Sequence, residues 1–321
     1  MKILYTTIMS DIKSGQSMCE YMTDSLFHGL RSILGNEIVD FPRLWHMYKD
    51  DKILYPERFT GLYGKGFTLY GLLPDDSGII RDDIKDQLEG KKFDLVIATV
   101  HCSAGDSHQR EIVFQKLEYL SRFYCRNQLI FIDTRDQSSV LYDFAPNIAR
   151  CFKREFNEWN EALPISFSIP KEKIVDTIKE KTQYFGKAIP WHPYSFNNEH
   201  EYYEDYQKSW FGYTCKKGGW DSMRHYEILA NGCVPFFTDL NECPKTTLTP
   251  FFPKEMLLEV LSMKGINTSR NFLGKRFERG TIDFDKFDVE KYKTLNIMLL
   301  DYTRSRLTTE NMAKYLLEKV I

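Results

Sequence analysis

Residues 215–235, CKKGGWDSMRHYEILANGCVP, set three side-chain chemistries at helical spacing between glycines. On an ideal helix Arg224, Glu227 and Asn231 stand at relative angles of about 0°, 300° and 340°, so a guanidinium, a carboxylate and an amide share one face. Met223, Leu229 and Ala230 fall elsewhere. Ahead of the helix, Gly218 and Gly219 let a ligand approach the backbone, where unpaired helical N–H groups and the positive end of the dipole favour an anion. The fork of Arg224 suits a diphosphate, Glu227 suits the two hydroxyls of a ribose, and Lys216 and Lys217 add positive charge. The same residues also describe an exposed i,i+3 ion pair with Asp221 as N-cap and Gly232 as a helix stop. The glycine pair, the polar face and the exit through Gly232 and Pro235 occur together, which favours a nucleotide diphosphate site.

Other candidates stand at the ends of apolar runs. His101 follows LVIATV with Asp106 in the same loop, and Asp133 and Asp136 follow LIFI in the segment DTRDQ. Each of His101, Asp133 and Asp106 is placed to take a proton as a general base. His101 reads equally as a loop histidine satisfied by backbone, and DTRD as an ion-pair cluster around Arg135. Ser10, Asp11 and Ser14 after the first run either border an acceptor site or form a solvated turn. Lys153 and Arg154 in CFKREF are either phosphate partners or surface charges. The stretch WHPYSFNNEHEYYEDY holds His192, His200 and several carboxylates without metal-ligand spacing and reads as surface and cleft packing. Neither GxSxG nor GxxxxGK[ST] occurs.

These residues need a scaffold. KILYTT, EIVDF, FDLVIATV and QLIFIDT are apolar runs of strand length, alternating with helical patterns in SMCEYMTDSLFHGLRSIL, which closes at Gly35, in IIRDDIKDQLEG and in EIVFQKLEYLSRFY. Such alternation implies a parallel sheet covered on both faces, with ligands beyond the carboxyl ends of its strands. Pro164 and Pro170 bracket an extended crossing that separates residues 1–165 from 166–321. At 321 residues, two domains are the expected number.

Composition narrows the class. The chain is 42% hydrophobic and 27% charged with a formal net charge of -2, so it has material for cores, and wholesale disorder is excluded. The 15% aromatic share serves either cores or sugar-stacking clefts. Without an excess of Lys and Arg, no nucleic-acid partner is expected. Seven scattered cysteines without a CxxC pair indicate reduced thiols, neither a disulfide framework nor a zinc site. No signal peptide or membrane-length apolar run is present, and a cytoplasmic location is expected.

GGWDSMRHYEILANGCVPFF resembles the nucleotide-sugar-binding segment of GT-B glycosyltransferases, especially exostosin-like and related bacterial or viral members. FDLVIATVH, LIFIDTRD, CFKREF and PISFSIPKEKI resemble their first-domain strands and interdomain crossing. The resemblance implies an α/β chain of two Rossmann-like domains facing across a cleft. The first binds the acceptor, the second binds the donor, and the last helix returns to the first. It further implies a hexosyl- or pentosyltransferase of glycan biosynthesis that moves a sugar from a nucleoside diphosphate sugar to a glycan or glycolipid hydroxyl, with no metal and no cofactor beyond the donor. Gly219 would approach the phosphates, Arg224 would bind the diphosphate, Glu227 would hold the ribose, and Asn231 and Gly232 would shape the end of the donor helix. Gly219 stands where many retaining members carry a glutamate, eight positions before the ribose-binding one, which favours inversion. A sugar-nucleotide epimerase and a non-catalytic nucleotide-sugar-binding or assembly protein are the competing readings of the same architecture.

Overall fold

The computed structural model describes residues 1–8, 19–100, 107–156, 161–193, 195–248, 251–268 and 281–321. It divides into two compact units, residues 1–170 with 309–321, and residues 171–308. Both are α/β with a parallel sheet, which is the class expected from the sequence.

The first unit runs β1 (Ile3–Ile8), α1 (Tyr21–Leu34), β2 (Ile38–Asp40), α2 (Lys49–Leu54), α3 (Pro56–Phe59), α4 (Ile84–Glu89), β3 (Leu95–Val100), α5 (Ser107–Ser121), β4 (Leu129–Asp133), β5 (Arg150–Lys153) and β6 (Ala162–Pro164). Its strands form one six-stranded parallel sheet in the order β2-β1-β3-β4-β5-β6. ILYTTI, LVIATV and LIFID are buried along their whole length, as interior strands covered on both faces must be. Glu20 caps α1 by accepting from the Thr23 N–H at 2.8 Å, while Asp24 accepts from the Glu20 N–H at 2.9 Å. The helix stops at Gly35, whose φ is +58°.

The second unit contains β7 (Gln183–Phe185), α6 (Glu199–Lys208), β8 (Ser209–Thr214), α7 (Met223–Ala230), β9 (Val234–Phe237), α8 (Lys254–Leu261), β10 (Ile266–Asn267), β11 (Thr281–Ile282) and α9 (Val289–Arg306). β7, β8 and β9 form a three-stranded parallel sheet centred on β8. A Cβ at Gly212 would come within 2.9 Å of the Ile228 side chain, so the missing side chain lets α7 press onto β8. Gly232, at φ +60°, ends α7 in a conformation that other residues adopt at a cost.

The chain closes in α10 (Thr309–Val320), which packs on α1 in the first unit. His28 Nδ1 lies 2.9 Å from Thr309 Oγ1, the Thr309 N–H donates to the Ile169 carbonyl, and Tyr315 donates to the Pro164 carbonyl.

Candidate functional site

The site is built where β8 ends. After Thr214 the chain turns through residues 215–222 and enters α7, with Ser222 as the N-cap in place of Asp221. Asp221 is buried and accepts from the Tyr226 hydroxyl at 2.9 Å, pinning the turn to the helix that follows. The other end of the turn is held by Asp239, which accepts from the Lys216 N–H. Within it the Lys217 N–H donates to the Gly219 carbonyl at 3.0 Å, folding the backbone tightly around Gly218 and Gly219.

His225 locks this arrangement from below. It is fully buried, with Nδ1 at 2.8 Å from Thr214 Oγ1 and Nε2 at 2.8 Å from the Trp220 carbonyl, and it stacks on Phe237. A carbonyl only accepts, so Nε2 carries the proton and Nδ1 accepts from the threonine. Burial, aided by the positive charges of Arg224 and Lys217 and opposed by the Trp220 carbonyl, pushes the imidazole down to about 3. His225 is therefore a neutral strut between the end of β8 and the turn. The sequence reading overlooked it, because a lone histidine inside a helical pattern carries no sign of a partner on a neighbouring strand.

Arg224 and Glu227 lie one turn apart on α7, Arg224 half-buried and Glu227 buried. The Tyr202 hydroxyl donates to Glu227 Oε2 at 2.7 Å and stands 3.2 Å from the Tyr206 hydroxyl, so α6 fixes the carboxylate. The stretch read as surface and cleft packing thus supplies a partner to the proposed ribose ligand. The Lys217 amine is held below the usual lysine range, first by desolvation and then by repulsion from Arg224, with Cys215 and Glu227 acting in the opposite sense. Two cations thus share the entry to α7, beside the positive end of its dipole.

Asn231 does not join this group. It is buried, its Nδ2 donates to the Glu227 carbonyl and its Oδ1 accepts from Gln207, so it closes the far end of the helix. It stands at the end of the helix, and both ends of its amide are engaged inside the protein, so it is not grouped with the donor-binding side chains.

In the first unit, Asp133 is fully buried. Its carboxylate accepts from Arg135 Nε and Nη2 at 2.9 and 2.7 Å and from Lys153 Nζ at 2.9 Å. Asp133 and Lys153 are register partners on β4 and β5. The ammonium of Lys153 is also fully buried, and desolvation holds it below its ordinary range despite the pull of Asp133. Asp133 as a base and Lys153 as a phosphate partner are both corrected: each is committed to the other in a buried ion-pair cluster. Arg154 is buried too, pairing with Asp136 and Glu155 and donating to the Thr134 carbonyl at 3.0 Å. It is committed in the same way, not presented to a ligand. His101, Asp106, Ser10, Asp11 and Ser14 lie outside the described residues.

Among the described residues no group of three or more His, Cys, Asp or Glu side chains is arranged to hold a metal ion, and no helix is long and apolar enough to cross a membrane. No protein-family model matches the sequence, and no curated protein is similar to it. Among solved structures the chain is similar to an alpha-glucosyltransferase in complex with UDP and a 13-mer DNA containing a central A:G mismatch. The identity is 11% and the TM-score 0.49, over 100% of this chain and 99% of that one. It is also similar to an alpha-glucosyltransferase in complex with UDP-glucose and DNA containing an abasic site, at 10% identity and a TM-score of 0.46, over 99% and 98% of the two chains. Neither is described as exostosin-like. Both hold DNA, and the expectation that excluded a nucleic-acid partner is withdrawn on that finding.

Proposed function

We propose that the chain is a glycosyltransferase whose second unit binds a nucleoside diphosphate sugar. The observation that carries this reading is the convergence of Lys217 and Arg224 at the entry to α7, one turn from a carboxylate anchored by Tyr202. Positive side chains beside the positive end of a helix favour an anion there, and a diphosphate supplies one. Glu227, fixed by a neutral donor, is then set to accept from ribose hydroxyls.

In the reaction, the acceptor oxygen forms a bond to the anomeric carbon while the bond from that carbon to the diphosphate oxygen breaks. The electron pair leaves with the diphosphate, where Arg224, Lys217 and the helix end offset its charge. The acceptor proton passes to a general base, assigned on its position after β3 to His101, with Asp106 as the alternative. Gly219 in place of a glutamate favours inversion at the anomeric carbon. The acceptor is a hydroxyl of a glycan or glycolipid by family resemblance, and duplex DNA belongs in the same acceptor panel because both similar structures hold it.

The test is product analysis with a panel of nucleoside diphosphate sugars, each with and without acceptors. Release of nucleoside diphosphate that depends on an acceptor supports transfer, and the anomeric configuration of the product reports inversion. Consumption of donor without any acceptor and with a new sugar isomer would replace the reading by an epimerase. Binding without turnover would replace it by a nucleotide-sugar-binding protein.

A further inference from the structure

The first unit carries an apolar cavity beside β1. α4 has six residues and α5 fifteen, lengths of about 9 and 22 Å. Between them opens a cavity of about 750 Å³, within the roughly 300–1,000 Å³ typical of small-molecule sites. Its floor is Leu4, Leu88 and Leu120, all nearly inaccessible to solvent, and Phe41 and Ile112 stand at its edge.

Charge is placed selectively around this apolar trough. Lys116 also lines it, and one turn to either side on α5 its neighbours are Ile112 and Leu120, so it shares the helix face that covers the trough. No ion pair of Lys116 occurs among the described residues. Lys85 lines the trough as well, with only a long, exposed contact of 3.8 Å to Glu89. Arg81 is neutralised by Asp40 and Asp76, and Asp83 is the opposing exposed charge. Tyr119 closes one side by donating to Glu89 at 2.8 Å.

We propose that this trough binds a single-chain anionic amphiphile, its hydrocarbon tail along Leu4, Leu88 and Leu120 and its head group on Lys116. A tail displaces water from the apolar cavity, and an anionic head meets a cation with no ion pair among the described residues at the edge of low-dielectric surroundings. The site is independent of the donor reading, since all its residues lie in the first unit.

The experiment is displacement of a fluorescent fatty acid from the full chain by dodecanoate, dodecyl phosphate, dodecanol and dodecyltrimethylammonium, each below its micelle-forming concentration. The expected result is saturable one-to-one binding of the two anions, rising about fourfold per methylene from octanoate to dodecanoate. Lys116→Glu, an exposed change, weakens it at least tenfold, and Ile112→Trp blocks it with an unchanged circular dichroism spectrum. Tighter binding of the carboxylate assigns fatty acids as the source, and of the phosphate, lipid phosphates. Absence of saturable binding, equal binding of the cationic amphiphile, or indifference to Lys116→Glu would overturn the proposal.

Discussion

Replacing His225 by phenylalanine keeps the ring stacked on Phe237 and removes both hydrogen bonds, to Thr214 and to the Trp220 carbonyl. At about 1 kcal/mol net for each bond, the variant is expected to lose about 2 kcal/mol of stability at pH 7. That difference must shrink on acidification. The folded imidazole titrates at about 3, below the unfolded value of about 6.5, so the unfolded chain takes up the proton first. The histidine's contribution is present above pH 6.5 and is lost as the pH falls toward 3, by about 2 kcal/mol at pH 5 and about 3 kcal/mol at pH 4.5. The unfolding curves of wild type and variant should therefore cross near pH 5, all other titrating groups being common to both. The assay is urea unfolding of the two proteins across pH 4.5–8, with the His225 ring followed by NMR. A constant difference over that range, or a ring that titrates near 6.5, would refute the neutral strut.

Further expectations concern single groups. Tyr202→Phe removes the donor to Glu227 Oε2 and should weaken nucleotide binding about 10- to 150-fold, a hydrogen bond to a charged group contributing about 1.5–3 kcal/mol; titration calorimetry reads it directly. Glu20 is buried, which raises its carboxyl to about 7 against the pull of Arg154. The protonated form favours folding, so this contribution is full below about 4.5 and is lost as the pH rises through 7; Glu20→Gln should gain about 2–3 kcal/mol relative to wild type between pH 5 and pH 8 in denaturation. Asp133→Ala leaves Lys153 and Arg135 buried without their counter-ion and should destabilise the first unit by about 3–5 kcal/mol. A stable Asp133→Ala protein that had lost only turnover would return Asp133 to the role of base.

The sheet was legible because its central strands are nearly uninterrupted apolar runs, and α1 because Gly35 marks its end. The helix of the candidate site was legible from spacing alone: Arg224 and Glu227 do share a helix after a glycine turn. What sequence could not show are the partners brought from elsewhere in the chain. Lys153 follows Asp133 by a whole strand connection, and only the parallel register of β4 and β5 sets them side by side. Tyr202 reaches Glu227 from α6 and Thr214 reaches His225 from β8, contacts with no periodicity to announce them. Asn231 shares the angular position of Arg224 but stands two turns further along, where the helix ends, and angle alone does not separate a ligand contact from a helix stop. The trough lies between α4 and α5, and the packing of two helices set apart in the chain has no periodicity to announce it.

The central claim, that α7 receives a diphosphate, is tested most directly by calorimetric titration of nucleoside diphosphates into wild type and Arg224→Ala. One nucleotide series should bind the wild type, and the variant should bind it about 10- to 150-fold more weakly, the loss of one charge-assisted contact of about 1.5–3 kcal/mol. No binding of any nucleoside diphosphate to the wild type, or equal binding to both proteins, would contradict the account.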